Sequence, residues 1–205
     1  MLVRSGCTAA VRCICPGPPC KTASVRCIRP FSRTTWVPSR YKSYRVVGGG
    51  IGSSCKVLTD DGWAITTDTP KVQGGTNTAP QPVMLLLASL CGCELATARF
   101  VALKSLPRIK MGRVEFDLEA TRDERGAINL PLTAPLPAPA RLERVWGTAT
   151  LYDTDATQEQ ITSLGAQVHL RCPVANMMVL SGCVLDIDWK VAGNDAGHGS
   201  KNFAQ

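Results

Sequence analysis

The stretch from Ala79 to Lys104, APQPVMLLLASLCGCELATARFVALK, constrains this chain more than any other. From Val83 to Cys93 it is apolar on nearly every side of a helix, and such a helix is buried rather than laid on a surface. Pro80 and Pro82 stand at the start, where helices tolerate proline, and Gly74-Gly75 upstream marks a loop. Glu94 and Arg99 interrupt the run before the ~20 residues that a bilayer needs, so no membrane span is expected. A Gly/Pro-rich loop therefore feeds a core helix carrying Cys91 and Cys93. Helical residues turn about 100° apiece, which sets these two roughly 200° apart. Cys93 shares a face with Leu86, Leu90, Thr97 and Phe100, and Cys91 lies on the face of Met84. One site cannot use both.

The chain has 205 residues and a formal charge of +7, and that charge is unevenly placed. No Asp or Glu precedes Asp60, while Arg4, Arg12, Lys21, Arg26, Arg29, Arg33 and Arg40 account for all of the excess. The remainder is neutral and has no basic stripe interleaved with aromatics, so no nucleic-acid partner is expected. An Arg- and Ser/Thr-rich, acid-free start has the composition of a mitochondrial transit peptide, and a disordered basic tail is the alternative. The expected organisation is a leader or tail over residues 1–40, a domain over 41–191 and a polar tail over 192–205. Location is expected to be mitochondrial, otherwise cytoplasmic. Cys7, Cys13, Cys15, Cys20 and Cys27 fall in the first segment. Those left in the domain are too few and scattered for a secreted disulfide framework.

Within the domain, Tyr41 to Val47 reads as a strand that Gly48-Gly49-Gly50 breaks. Cys55–Thr59 and Trp63–Thr67 form a hairpin about Asp60-Asp61-Gly62. The triple glycine is flanked by strands, whereas a phosphate cradle wants a helix to follow. After the core helix, Met111–Thr121 alternates as a strand with one wet face. A proline-rich loop follows, then a strand over Arg141–Asp153. Ile161, Leu164 and Val168 mark a helix over Ala156–Leu170, capped by Asp155 or Thr157. A short helix begins at Pro173, and Val184–Val191 closes the domain. The order β-β-β-α-β-β-α-α-β is that of an α+β domain.

Cys172-Pro173 supplies a second candidate cysteine at the start of a helix, where the N-terminal partial charge favours thiolate. On that ground Cys172 is expected to be a more acidic thiol than the mid-helix Cys93. Buried free cysteines are more often inert than reactive.

GGTNTAPQPVMLLLASLCGC (Gly74–Cys93) followed by RCPVANMM (Arg171–Met178) resembles the OsmC/organic hydroperoxide resistance family, over roughly Tyr41 to Val191. The resemblance implies a mixed or antiparallel sheet with a long buried central helix in an intertwined homodimer. It also implies thiol-dependent reduction of organic or lipid hydroperoxides, with Cys93 attacking and Cys172 resolving. A dithiol reductant, of lipoyl type or a small thiol, would reopen the disulfide, with no cofactor or metal. Cys91 has no role in that scheme. Two positions depart from the family pattern: Met84 stands where a Glu is usual, and Ser53 where an activating Arg is usual. Loss of a cation should raise the Cys93 pKa. A binding or thiol-relay protein of the same fold is therefore the alternative. A zinc site from Cys91, Cys93, His169 and Cys172 is a third reading, opposed by the divergence of Cys91 from Cys93.

Overall fold

The computed structural model describes residues 40–193, so the expectations for the basic N-terminal segment and most of the C-terminal tail lie outside the described residues. Six strands and four α-helices run in the order β1 (Val46–Ile51), β2 (Ser54–Thr59), β3 (Ala64–Thr67), α1 (Pro82–Lys104), β4 (Val114–Arg122), α2 (Arg125–Ile128), β5 (Leu142–Leu151), α3 (Gln158–Arg171), α4 (Pro173–Leu180) and β6 (Val184–Val191). The α+β architecture is that expected, with the four-residue α2 as an addition.

There are two three-stranded sheets. In the first, β2 lies between β1 and β3, antiparallel to both. In the second, β5 lies between β4, antiparallel to it, and β6, parallel to it. The triple glycine does not end β1 as expected. Gly48, Gly49 and Gly50 lie inside the strand, paired with Val57, Lys56 and Cys55. The chain turns instead at Gly52, whose φ of 62° suits glycine. A side chain at Gly50 would run into the Ser54 carbonyl, so the close approach of β1 to β2 requires its absence.

Helix α1 begins with Pro82 in its first turn and packs against α3, α4 and β4. Only Leu90, Glu94, Ala98 and Ala102 on it are buried, one residue per helical turn. The helix is not buried all round within one chain: Met84, Leu86, Phe100 and Leu103 are exposed. By length and a mean hydropathy of 1.6 it would pass for a membrane span. Its packing, with a carboxylate on the buried stripe, is that of a core helix. Helix α3 is held at its start by a reciprocal pair in which Gln160 N–H donates to Thr157 Oγ1 and Thr157 N–H donates to Gln160 Oε1.

Two clusters make the core. Ala98 and Ala102 meet Ala149, Leu151, Ile161, Leu164, Val168 and Trp189 at one end of α1. Leu90 meets Leu142, Val145, Cys172, Ala175, Met178 and Cys183 at the other. Small residues on the α1 stripe allow α3 to approach closely.

Candidate functional site

Cys172 sits at the joint between two helices, ending α3 and starting α4. Its N–H donates to the Val168 carbonyl at 2.8 Å, and its sulfur accepts the Ala175 N–H at 3.4 Å. Asn176 braces the joint, its Nδ2 donating to the carbonyls of Cys172 and His169 at 2.9 and 3.0 Å. Pro173 imposes the break because it can begin a helix but cannot continue one.

Cys93 packs against the cluster that contains Cys172. The two thiols are close enough that Cys93 helps to raise the pKa of Cys172. Cys91 belongs to neither core cluster. Thus α1 brings Cys93 to the α3–α4 joint, where the 100° turn per residue carries Cys91 elsewhere. All five cysteines of the described domain are free thiols.

The acidity expected of Cys172 is not found. Burial pushes its thiol up to about 11, outweighing the Ala175 N–H, while Cys93 and the negative charge of Glu94 push the same way. Cys172 is 0% exposed. A single N–H at the start of an eight-residue helix does not offset the loss of water around a thiolate.

Glu94 is the feature that sequence reasoning missed. It was legible only as an interruption of an apolar run, yet its residue is 0% exposed. Neither carboxyl oxygen has a hydrogen-bond partner, and nor does the Trp189 indole N–H. The imidazole of His169 is its neighbour on α3, with Nδ1 3.7 Å from Glu94 Oε1. Burial raises the Glu94 pKa to about 7, with Trp189 acting in the other direction. Burial lowers that of His169. Both shifts favour the neutral forms, as low dielectric dictates. Cys91 is also raised, first by burial and then by the Glu94 charge.

The loop before α1 is organised by a second buried carboxylate, Asp68. It accepts from Ser53 Oγ (2.8 Å), from the Thr69 N–H (2.8 Å), and from the N–H and hydroxyl of both Thr76 and Thr78 (2.6 to 3.1 Å). The hydroxyls of Thr76 and Ser53, with the Thr78 and Thr69 backbone groups, hold it well below the usual carboxylate range. Ser53, at the position where the sequence comparison expects an activating Arg, is thus a ligand of this carboxylate. Met84, at the position of the usual Glu, is exposed on α1.

The zinc reading fails on geometry: among the described residues no three His, Cys, Asp or Glu side chains are grouped to hold a metal ion. Two cavities among the described residues lie away from this pair. One of about 240 Å³ lies between the C-terminal end of α1 and α3, lined by Val101, Leu106 and Gln167 among others. The other, of about 160 Å³, lies by the start of α1 against Arg122 and Arg141.

With a two-helix cysteine pair set on a β-β-β-α-β-α-β-α-α-β framework, the chain belongs to the OsmC-like protein family, whose family model matches residues 75–188. Its fold is that of solved OsmC-like structures. One is an OsmC-like protein from Mycoplasma pneumoniae, at 21% identity and a TM-score of 0.59, covering 74% of this chain and 99% of that one. Another is a protein from Legionella pneumophila described as an organic hydroperoxide resistance protein OsmC, at 22% identity and a TM-score of 0.53, covering 74% and 98%. A third is an organic hydroperoxide resistance protein from Elizabethkingia anophelis, at 22% and 0.53, covering 76% and 99%. None of the curated proteins compared matches the chain.

Proposed function

We propose that this OsmC-like protein is a thiol-dependent peroxidase for organic or lipid hydroperoxides, with Cys93 as the attacking and Cys172 as the resolving residue. The observation that carries the reading is the meeting of these two thiols at the α3–α4 joint. The half-buried Cys93 is the more accessible of the two, as an attacking residue must be, and Cys172 is buried beside it. The Cys93 thiolate attacks one peroxide oxygen, the O–O bond breaks, and the alkoxide takes a proton to leave as an alcohol. The resulting sulfenic acid is attacked by Cys172, which forms the disulfide and expels hydroxide that leaves as water. A dithiol reductant then reopens the bond by exchange. The apolar face of α1 that carries Cys93, with Leu86 exposed on it, suits a greasy substrate.

The working unit proposed is a homodimer. Val46, Ile51, Trp63 and Ile65 leave the first sheet apolar and exposed, as Leu86, Phe100 and Leu103 leave α1. That is more apolar surface than a lone chain ordinarily leaves to water. Action in mitochondria is proposed from the basic, acid-free N-terminal composition alone.

A second reading, a binding or thiol-relay protein without fast peroxide chemistry, draws on the exposed Met84 and on the Ser53–Asp68 hydrogen bond. Neither position offers a charge to Cys93. Stopped-flow mixing with cumene hydroperoxide separates the two. A peroxidase consumes one equivalent per Cys93 rapidly, and loses this in Cys93→Ser. Slow consumption that survives Cys93→Ser would select the second reading.

A further inference from the structure

A buried carboxyl with no hydrogen bond to either oxygen is costly and calls for a reason. Glu94 is such a group, and its position is specific. It follows Cys93 on α1, and its partner His169 precedes Cys172 by less than a turn on α3. The same two elements are therefore bridged twice, by the thiols and by the carboxyl–imidazole pair. Four groups act on Glu94 or feel its charge. Cys91 lies on its own helix, His169 on α3, Cys172 at the α3–α4 joint and the Trp189 indole on β6. Only His169 reaches solvent from this set with an ionisable ring, its side chain being 30% exposed.

We propose that Glu94 is the base that takes the proton of Cys172 when Cys172 attacks an oxidised Cys93, with His169 carrying protons between Glu94 and solvent. This rests on the assignment of Cys93 and Cys172 as a reacting pair, though not on peroxide as the oxidant. The step balances. Glu94 carboxylate accepts the Cys172 thiol proton, directly or through one water. The thiolate forms the S–S bond and displaces the group on the Cys93 sulfur. When that group is hydroxide, Glu94 returns the proton and water leaves. When it is an organic thiolate, the proton passes through His169 to solvent. A base is needed because burial makes Cys172 a poor acid, so few molecules hold its thiolate at neutral pH.

The opposite role is also physically possible, and the sign of one experiment decides. A carboxylate acting by charge alone opposes the Cys172 thiolate, so removing it would speed closure. A carboxylate acting as base would be missed. The test uses the full chain with every cysteine except Cys93 and Cys172 changed to serine, mixed with one equivalent of 5,5′-dithiobis(2-nitrobenzoate). Cys93 reacts in a first phase, and attack by Cys172 releases a second thionitrobenzoate, read by its absorbance. Glu94→Gln should leave the first phase unchanged and slow the second at pH 7.5 by about 100-fold, the usual worth of a positioned base. The wild-type second phase should level off above pH 7, whereas that of Glu94→Gln should climb to pH 10. His169→Asn should slow the second phase by a smaller factor. Should Glu94→Gln fail to fold, Glu94→Asp serves, its second phase slower and its pH inflection moved. Faster or unchanged closure in Glu94→Gln, or an unmoved profile in Glu94→Asp, overturns the proposal. Because no peroxide is used, a protein inert to hydroperoxide but dependent on Glu94 here would refute the peroxidase reading alone.

Discussion

Gly165 on α3 lies flat against the indole of Trp189 on β6. A methyl group at Gly165 would come within 2.6 Å of Trp189 Cδ1, and within 3.0 Å of its Cβ. The atoms met are at the root of the side chain, and the far edge of the ring is held by Phe116 in a T-shaped contact with centroids 5.8 Å apart. The indole therefore has no easy escape. In an open helix Gly→Ala stabilises by about 1 kcal/mol. At Gly165 the same change should destabilise by roughly 1–3 kcal/mol, as overpacked cores do. Urea unfolding of Gly165→Ala measures this, and a raised midpoint would contradict the packing described.

Glu94 should make stability fall as pH rises. Its folded pKa of about 7 lies above the ordinary carboxyl value, so protonation favours the folded state. The benefit is complete below about pH 4.3, the unfolded value, and is lost as pH climbs through about 7. Over that window the loss should be on the order of 3–4 kcal/mol. Glu94→Gln should remove that slope. Urea midpoints at pH 5 and pH 8 test it, with a smaller drop expected in the variant.

Asp68 should have the reverse effect. Its folded pKa is depressed by the Thr76 and Ser53 hydroxyls and the backbone donors, so its contribution is present above the unfolded value of about 3.9 and fades as pH falls below it. Asp68→Asn should be less stable than the parent at pH 7, with the gap narrowing at pH 3. Thermal melts at both values check the sign.

Among the cysteines, mild oxidation should join Cys93 to Cys172 and leave Cys91 free, because a disulfide needs Cα atoms within about 7 Å and Cys91 is turned off that face. Peptide mapping after one equivalent of hydroperoxide is the check. Cys172→Ser should strand Cys93 as a sulfenic acid trappable by dimedone, and Cys91→Ser should change the rate by less than about twofold.

The exposed apolar first sheet gives a test of assembly. Ile51 is 91% exposed in the single chain, so Ile51→Asp should cost that chain little stability. If a second copy covers the sheet, as proposed, a buried charge there should break the dimer. Sedimentation should show twice the monomer mass for the parent and a shift towards monomer for Ile51→Asp.

Much of this architecture is written in local pattern. The closing strand, Val184–Val191, was legible to the residue because it runs from a Gly-Cys turn to a polar tail. Pro82 and Pro173 marked two helix starts because a ring that lacks an N–H and fixes φ is tolerated at few other helical positions. The separation of Cys91 from Cys93 followed from helical pitch alone. What local pattern could not carry was burial by distant chain. The triple glycine reads as a break because glycine is a poor strand former, yet it lies inside β1, and at Gly50 the close approach of β2 makes glycine the required residue. Cys172 reads as acidic from its place at a helix start, and the packing of Leu90, Val145 and Met178 reverses that. Glu94 reads as a polar interruption in an apolar helix. Only when α3 and β6 close over α1 does it become a buried carboxyl beside His169, because desolvation depends on what covers a side chain and not on its neighbours in sequence.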